Sequence, residues 1–152
     1  MRVREILKAK NRPVVTAKPD TEISAVMQLM KLEKIGYVVV IGNGEQVDGI
    51  VSVRDIVYAM AGYESEKRKP DWTAFLKLPV SRIMTGKVRT CLPGDNLMQV
   101  MKLMMRWHNL HVPVLKDRKL CGIISIDDVV KYGVAEMELE ALVLRDTLIA
   151  RG

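Results

Sequence analysis

The apolar residues of this chain follow helical spacing, then strand-like runs, and that order occurs twice. In the first half Ile23, Val26 and Met30 lie on one helical face, and Gly36 marks the end of that segment. Short β-branched runs and a glycine-rich turn come next. The predicted elements are a helix over 21–34, strands over 37–41 and 47–51 around a turn at 42–44, and a helix over 53–61 that begins at Ser52.

The second half repeats this order. If the segment before its first helix is extended, each half has the order β-α-β-β-α. Apolar spacing persists from Val134 to Leu148, so the last helix is predicted to run long. The predicted elements are a helix over 96–107, strands over 112–115 and 120–124 around a turn at 117–118, a helix from 126 onward, and a connecting segment over 62–79 with a helical turn near 72–76.

The repeated order reflects an internal duplication. Residues 74 positions apart are often identical, and Val3 to Leu7 resembles Val80 to Met84 at a separation of 77. The chain has 152 residues, of which 49% are apolar, so two packed half-modules could share a sufficient core. The identical pairs are Thr16/Thr90, Pro19/Pro93, Val26/Val100, Met27/Met101, Leu29/Leu103, Met30/Met104, Val38/Val112 and Val40/Val114.

One sequence motif occurs twice, where the second strand of each half meets a helix: GIVSVRD at 49–55 and GIISIDD at 122–128. Its Ser-x-x-Asp spacing is typical of a helix cap, in which serine and aspartate satisfy free backbone groups. The same position also suits a ligand, because a helix N-terminus attracts phosphate and a carboxylate accepts ribose hydroxyls. The glycine at the start of each motif could allow another backbone or a ligand to approach. Both interpretations stay open at this point.

Composition narrows the function classes. Cys91 and Cys121 form no Cys-x-x-Cys pair and have no histidine at metal-ligand spacing, so neither a disulfide scaffold nor a metal site is predicted. No apolar leader and no membrane span is evident, which favours a cytoplasmic protein. The net charge of +6 includes basic clusters within 8–12, 67–69 and 82–89, which suit phosphate-bearing ligands or a solvated surface.

These features together resemble the cystathionine-β-synthase (CBS) domain pair, known as a Bateman module. The resemblance runs from Val3 to about Tyr132, and the tail at 138–146 is similar to that of bacterial stand-alone CBS-pair proteins. The motifs that carry it are the segment VSRIMT at 80–85, Thr90-x-x-Pro93, the segment HVPV at 111–114, and both glycine-to-aspartate phrases.

The resemblance implies an α/β (α+β) fold of tandem CBS repeats, each β-α-β-β-α, packed with pseudo-twofold symmetry. The implied domains are repeat 1 over 1–62, a linker over 63–79, repeat 2 over 80–135 and a C-terminal helical extension over 136–152.

Such a pair implies two clefts between the repeats that take adenosyl ligands: AMP or ATP foremost, and ADP, NAD(H) or S-adenosylmethionine. Each cleft would draw its threonine and strand residues from one repeat and its Ser-x-x-Asp from the other. One site would combine Thr90, His111, Val112 and Pro113 with Ser52, Arg54 and Asp55, and its counterpart would combine Thr16, Tyr37, Val38 and Val39 with Ser125 and Asp128.

In these implied sites the aspartates would hold ribose hydroxyls, while the serines and threonines would bond phosphate or ribose. His111 lies where relatives carry a residue near phosphate, so a charged imidazole would strengthen binding at lower pH. Val39 departs from the proline of the family's strand, and Asp127 adds a carboxylate where Arg54 stands in the first repeat. We therefore expect unequal sites, with the Asp55 site the stronger.

The function expected from this resemblance is a stand-alone regulatory module, not an enzyme, that signals to a regulated protein of unknown identity. Such modules commonly form homodimers, and the apolar tail after Lys131 could supply part of the interface. The alternatives are nucleic-acid binding, suggested by the net charge, and pure protein interaction. The chain lacks a series of stacking aromatics and a nucleophile–base pair, which weakens the cases for nucleic acid and for catalysis.

Overall fold

The helices and strands occur in the order predicted from the sequence. The computed structural model describes residues 1–66 and 69–151, so Lys67 and Arg68 of the predicted basic cluster lie outside the described residues. The elements are α1 (Val3–Lys10), β1 (Thr16–Ala17), α2 (Ile23–Glu33), β2 (Tyr37–Ile41), β3 (Val47–Ser52), α3 (Val53–Glu66), α4 (Trp72–Leu76), a 3₁₀ turn (Val80–Arg82), α5 (Leu97–Trp107), β4 (His111–Lys116), β5 (Lys119–Ser125) and α6 (Ile126–Arg151).

The chain forms two compact units, and each unit contains segments from both repeats. The α1 unit comprises residues 1–12, 90–114 and 122–152, and the β1 unit comprises residues 13–89 and 115–121. Helix α1 therefore belongs to the unit that contains most of the second repeat. Likewise, the equivalent segment around the 3₁₀ turn belongs to the unit that contains the first repeat.

The β1 unit holds the complete β-α-β-β-α order. Strand β1 pairs in parallel with β2, which pairs antiparallel with β3. Three consecutive residues of β2, 38–40, are fully buried, since strand residues that are covered on both faces need not alternate with polar ones. Val26 and Met30 of α2 join Val38, Val40 and Val51 in the core, as the helical spacing predicted.

In the α1 unit the leading strand of the second repeat is reduced to one parallel bridge between Cys91 and Val114. In the first repeat the Val39 N–H donates to the Val15 carbonyl over 3.2 Å. The equivalent residue in the second repeat is Pro113, which has no N–H to donate. The Cys91 N–H still reaches the Pro113 carbonyl at 3.0 Å. The β-α-β-β-α prediction is thus met in full only by the first repeat.

The predicted end of the first helix needs a correction. Helix α2 ends at Glu33 because Lys34 adopts the left-handed conformation, with φ of 54°, and not because Gly36 interrupts it. The Lys34 N–H donates to the Met30 carbonyl. His108 ends α5 in the same way, with φ of 50°. The duplication has therefore preserved the helix terminus as well as the core.

The segment predicted to be a linker between the repeats contains more helix than expected. Helix α3 continues to Glu66, and α4 occupies the predicted turn near 72–76. The Tyr63 ring lies 5.2 Å from Phe75 and 5.5 Å from Trp72, centroid to centroid. The Tyr63 hydroxyl also donates to the Asp71 carbonyl at 3.0 Å. This aromatic cluster joins the end of α3 to α4.

Helix α6 has 26 residues, which confirms the prediction of a long last helix. Across residues 1–66 and 69–151, no helix combines the length and apolar character needed to cross a membrane.

Gly49 and Gly122, the first residues of the two repeated motifs, leave room for neighbouring segments of the chain. A Cβ at Gly49 would lie 2.6 Å from Met84 Sδ and 2.9 Å from the Thr85 carbonyl oxygen. A Cβ at Gly122 would lie 2.5 Å from Leu7 Cδ2. Met84 and Leu7 are equivalent residues at the separation of 77. Each glycine thus lets the leading segment of the other repeat pack against a strand.

Gly49→Ala is expected to destabilise the protein by about 1–3 kcal/mol, because the new methyl group meets backbone that cannot rotate away. Gly122→Ala should cost less, since the partly buried Leu7 side chain can change rotamer. Thermal unfolding of both variants by circular dichroism measures the difference. If Gly122→Ala destabilised the protein as much as Gly49→Ala does, or more, contact with the Thr85 backbone would not explain the need for glycine at position 49.

Candidate functional site

The first candidate half-site lies where β3 meets α3. The Ser52 N–H donates to Asp55 Oδ2 at 2.8 Å, and the Ser52 hydroxyl lies 3.1 Å from the same oxygen. In return, the Asp55 N–H donates to Ser52 Oγ at 3.2 Å. These are the reciprocal bonds of a helix cap, and they hold the carboxylate at the positive end of α3.

The second candidate half-site reproduces this geometry where β5 meets α6. Asp128 Oδ2 accepts from the Ser125 N–H at 2.8 Å and from the Ser125 hydroxyl at 3.0 Å. The Asp128 N–H donates to Ser125 Oγ at 3.3 Å. The predicted cap therefore exists in both repeats, and its serine bonds use one carboxylate oxygen, Oδ2. A capping role thus leaves Oδ1 available as an acceptor for a ligand.

The neighbours of the two aspartates differ in charge. In the β1 unit the Thr85 hydroxyl lies 3.4 Å from Asp55 Oδ1, and the Thr85 N–H donates to the Ile50 carbonyl at 2.9 Å. In the α1 unit the Lys10 ammonium donates to Asp128 Oδ2 at 2.7 Å and to the Ile123 carbonyl at 2.8 Å. We call Ser52, Asp55 and Thr85 the Asp55 half-site, and Lys10, Ser125 and Asp128 the Asp128 half-site.

The exposure of the charged groups differs as well. Asp128 is buried, with 9% of its surface exposed, whereas Asp55 is partly exposed. Arg54 is exposed beside Asp55, and Asp127 is exposed beside Asp128. The Asp55 half-site therefore combines an accessible carboxylate with a nearby cation, while the Asp128 carboxylate is covered by its own ion pair.

His111, at the start of β4, is partly buried, and this burial is the main reason why its pKa falls from 6.5 to about 4. The charge of Lys10 lowers the pKa further, while Asp127 and Asp128 act in the opposite direction. The imidazole is therefore neutral at physiological pH. Burial thus opposes the charged imidazole that was expected to attract phosphate under mildly acidic conditions, and a role of His111 in binding stays a prediction.

Stability should fall between pH 7 and pH 5 because the unfolded chain binds a proton that folded His111 rejects. The folded pKa of about 4 lies below the unfolded value of 6.5, so the loss develops as the pH drops below 6.5. Its size at pH 5 is about 2 kcal/mol. Urea unfolding of wild type and His111→Gln at both pH values measures it. An equal loss in the variant would show that other groups cause the pH dependence.

The remaining predicted site residues divide between the two units. Thr16 is exposed, Val38 and Val39 are buried, and Tyr37 is partly buried. In the other unit Val112 and Pro113 are buried, and Thr90 is partly buried. Each predicted site draws on both units, so its assembly stays a prediction. The residues of the β1 unit are Thr16, Tyr37, Val38, Val39, Ser52, Arg54 and Asp55, and those of the α1 unit are Thr90, His111, Val112, Pro113, Ser125 and Asp128.

Two residues at the half-sites were not predicted. Thr85 lies in a motif that carries the family resemblance, but the sequence indicated no contact with Asp55. Lys10 appeared only as one member of a basic cluster. It lies 118 positions from Asp128, so no local spacing signals their ion pair.

Comparison with known proteins identifies the fold family. A family model described as the CBS domain matches residues 3–62 and 80–135. The chain belongs to the CBS domain family. This confirms the resemblance seen in the sequence and the fold of tandem CBS repeats with mixed helices and strands.

Solved CBS-domain structures resemble this chain over most of its length. A CBS-domain-containing protein of Agrobacterium tumefaciens is 38% identical with a TM-score of 0.77, covering 87% of this chain and 98% of its own. A CBS-domain protein of Pyrobaculum aerophilum, solved in complex with AMP, is 27% identical with a TM-score of 0.70, covering 84% of this chain and 89% of its own.

The chain spans only part of the curated relatives that it matches. A mitochondrial CBS-domain-containing protein of Arabidopsis thaliana is 32% identical over 77% of this chain. The chain spans 54% of that protein, and 66% and 34% of two uncharacterised proteins, from Acidianus ambivalens and Thermofilum pendens.

Proposed function

We propose that this CBS pair is a regulatory module that binds an adenosyl ligand and transmits its occupancy to a partner protein. The observation that carries the proposal is the duplicated Ser–Asp geometry, which presents a carboxylate at a helix N-terminus in each repeat. The AMP complex of the similar Pyrobaculum protein supports an adenosine-containing ligand. AMP and ATP are the ligands we consider first.

The chemistry of the proposed site follows from its side chains. Asp55 Oδ1 would accept from ribose hydroxyls, while Oδ2 stays engaged with Ser52. The N-terminus of α3 and exposed Arg54 would attract phosphate. Thr90 and His111, with Val112 and Pro113 of β4, would complete this site from the α1 unit. A neutral His111 would act there as a hydrogen-bonding group and not as a cation.

The counterpart site would combine Ser125 and Asp128 with Thr16 and the β2 residues 37–39. We propose that it binds more weakly, because Asp128 is buried in an ion pair and Asp127 adds negative charge where phosphate would approach. Signalling would require the ligand to bind one arrangement of the repeats more tightly than another.

Isothermal titration calorimetry with AMP, ATP, NADH and S-adenosylmethionine tests this function. Saturable binding of at least one ligand is expected, and it should be sensitive to substitution of Asp55. Failure of all four ligands to bind would overturn the proposal. Binding of a labelled RNA that weakens steeply with salt would then favour the nucleic-acid alternative suggested by the net charge of +6.

We also propose that the protein is a homodimer and that the part of α6 from Met137 onward contributes to its interface. Met137, Leu144 and Leu148 lie on one face of this helix, and each is more than 60% exposed. A second copy of the chain could cover this face by pairing the same helix. Apolar side chains repeated along a helix in this way are typical of helix–helix association.

A further inference from the structure

Lys10 is held in place by two hydrogen bonds at the end of α1. Its ammonium donates to Asp128 and to the Ile123 carbonyl, and only 18% of its side-chain surface is exposed. A lysine clamped in this way differs from a surface lysine, whose ammonium is solvated and mobile. The contact of Lys10 with Asp128 and Ile123 is therefore part of the packed structure of the α1 unit.

The duplication shows which groups Lys10 replaces. In the β1 unit the Thr85 N–H binds the strand carbonyl of Ile50, and its hydroxyl lies near Asp55. In the α1 unit the single ammonium of Lys10 contacts the equivalent carbonyl, Ile123, and the equivalent carboxylate, Asp128, at Oδ2 and not at the Oδ1 that Thr85 approaches in the other unit. A neutral contact in one repeat is thus an ion pair in the other.

We propose that Lys10 is an internal cation that competes with adenosyl ligands for Asp128 and thereby sets how many ligands each chain binds. This inference rests on the proposed function, since it concerns the weaker of the two proposed sites. Wild-type protein then binds one ligand per chain tightly, at the site that contains Asp55.

The competition has a direct physical cause. A carboxylate that is already paired with an ammonium is a poorer acceptor for ribose hydroxyls than an unpaired one. A ligand would have to share the carboxylate with Lys10 or displace it, and displacement would also leave the Ile123 carbonyl without this donor. Neutral His111 also lies within electrostatic reach of Asp128, Lys10 and Asp127, all of which act on its pKa.

Lys10→Met tests the proposal because methionine keeps much of the apolar stem and removes the ammonium. The expected result is a second AMP site, bound about tenfold more tightly than any second site of the wild type. Adding Asp128→Asn should abolish this gain. Lys8→Met is the matched control, since Lys8 is an exposed lysine of the same helix and its removal should change nothing.

The outcomes separate this inference from the proposed function. Unchanged or weaker AMP binding by Lys10→Met, with the wild type still binding AMP at one site, overturns the role of Lys10 alone. Absence of binding of all four candidate ligands by wild type and variant overturns both proposals. If Lys10→Met fails to fold by circular dichroism, Lys10→Gln replaces it, because the amide can still donate while lacking the charge.

Discussion

Asp55→Asn is expected to weaken AMP binding by roughly tenfold to a hundredfold. The asparagine oxygen can still accept from the Ser52 N–H, so the cap of α3 should persist. The amide nitrogen that takes the place of the second oxygen can only donate, so it cannot accept from ribose hydroxyls. Hydrogen bonds to a charged group contribute about 1.5–3 kcal/mol, which gives the expected loss. Calorimetric titration with AMP measures this loss.

Asp128→Asn is the matched control for this prediction. It makes the same chemical change in the same cap geometry, but at a carboxylate already paired with Lys10. It should weaken total AMP binding less than Asp55→Asn does. A larger loss in Asp128→Asn would contradict the ranking of the sites. Melting curves of both variants establish that each is folded before titration.

Leu144→Glu in α6 is expected to convert the proposed homodimer into monomers. Leu144 is 61% exposed in the single chain, so the change should leave the fold of the protomer intact. Across a twofold interface it removes two buried leucines, worth about 1.5–3 kcal/mol each, and introduces two unpaired charges. The dissociation constant should rise by at least about a hundredfold. Sedimentation equilibrium over a range of concentrations measures it.

Ala150→Glu is the control for this interface. Ala150 is exposed on the same helix, and with 3.6 residues per turn it lies roughly opposite Met137, Leu144 and Leu148. The variant adds the same charge away from that face, and the dimer should survive. Identical sedimentation of Leu144→Glu and wild type would exclude this part of α6 from the interface.

Much of the secondary structure could be predicted because its signals are local. Strand β2 has the predicted bounds, and α5 begins one residue after the predicted start. Helix α1 was not predicted, since an eight-residue helix gives a weak periodic signal. The reduction of the leading strand in the second repeat to a single bridge depends on Pro113 lying beside Cys91, a pairing that is not local.

The candidate sites likewise combine local contacts, which the sequence predicts, with contacts between distant segments, which it does not. The sequence determined the two Ser–Asp caps, because their partners are three residues apart and their geometry follows from the start of a helix. Only the tertiary structure decided that Thr85 contacts Asp55 while Lys10 binds Asp128, and that burial keeps His111 neutral. Hydrogen bonds within one helical turn depend on neighbouring residues, whereas ion pairing and burial depend on how distant segments pack.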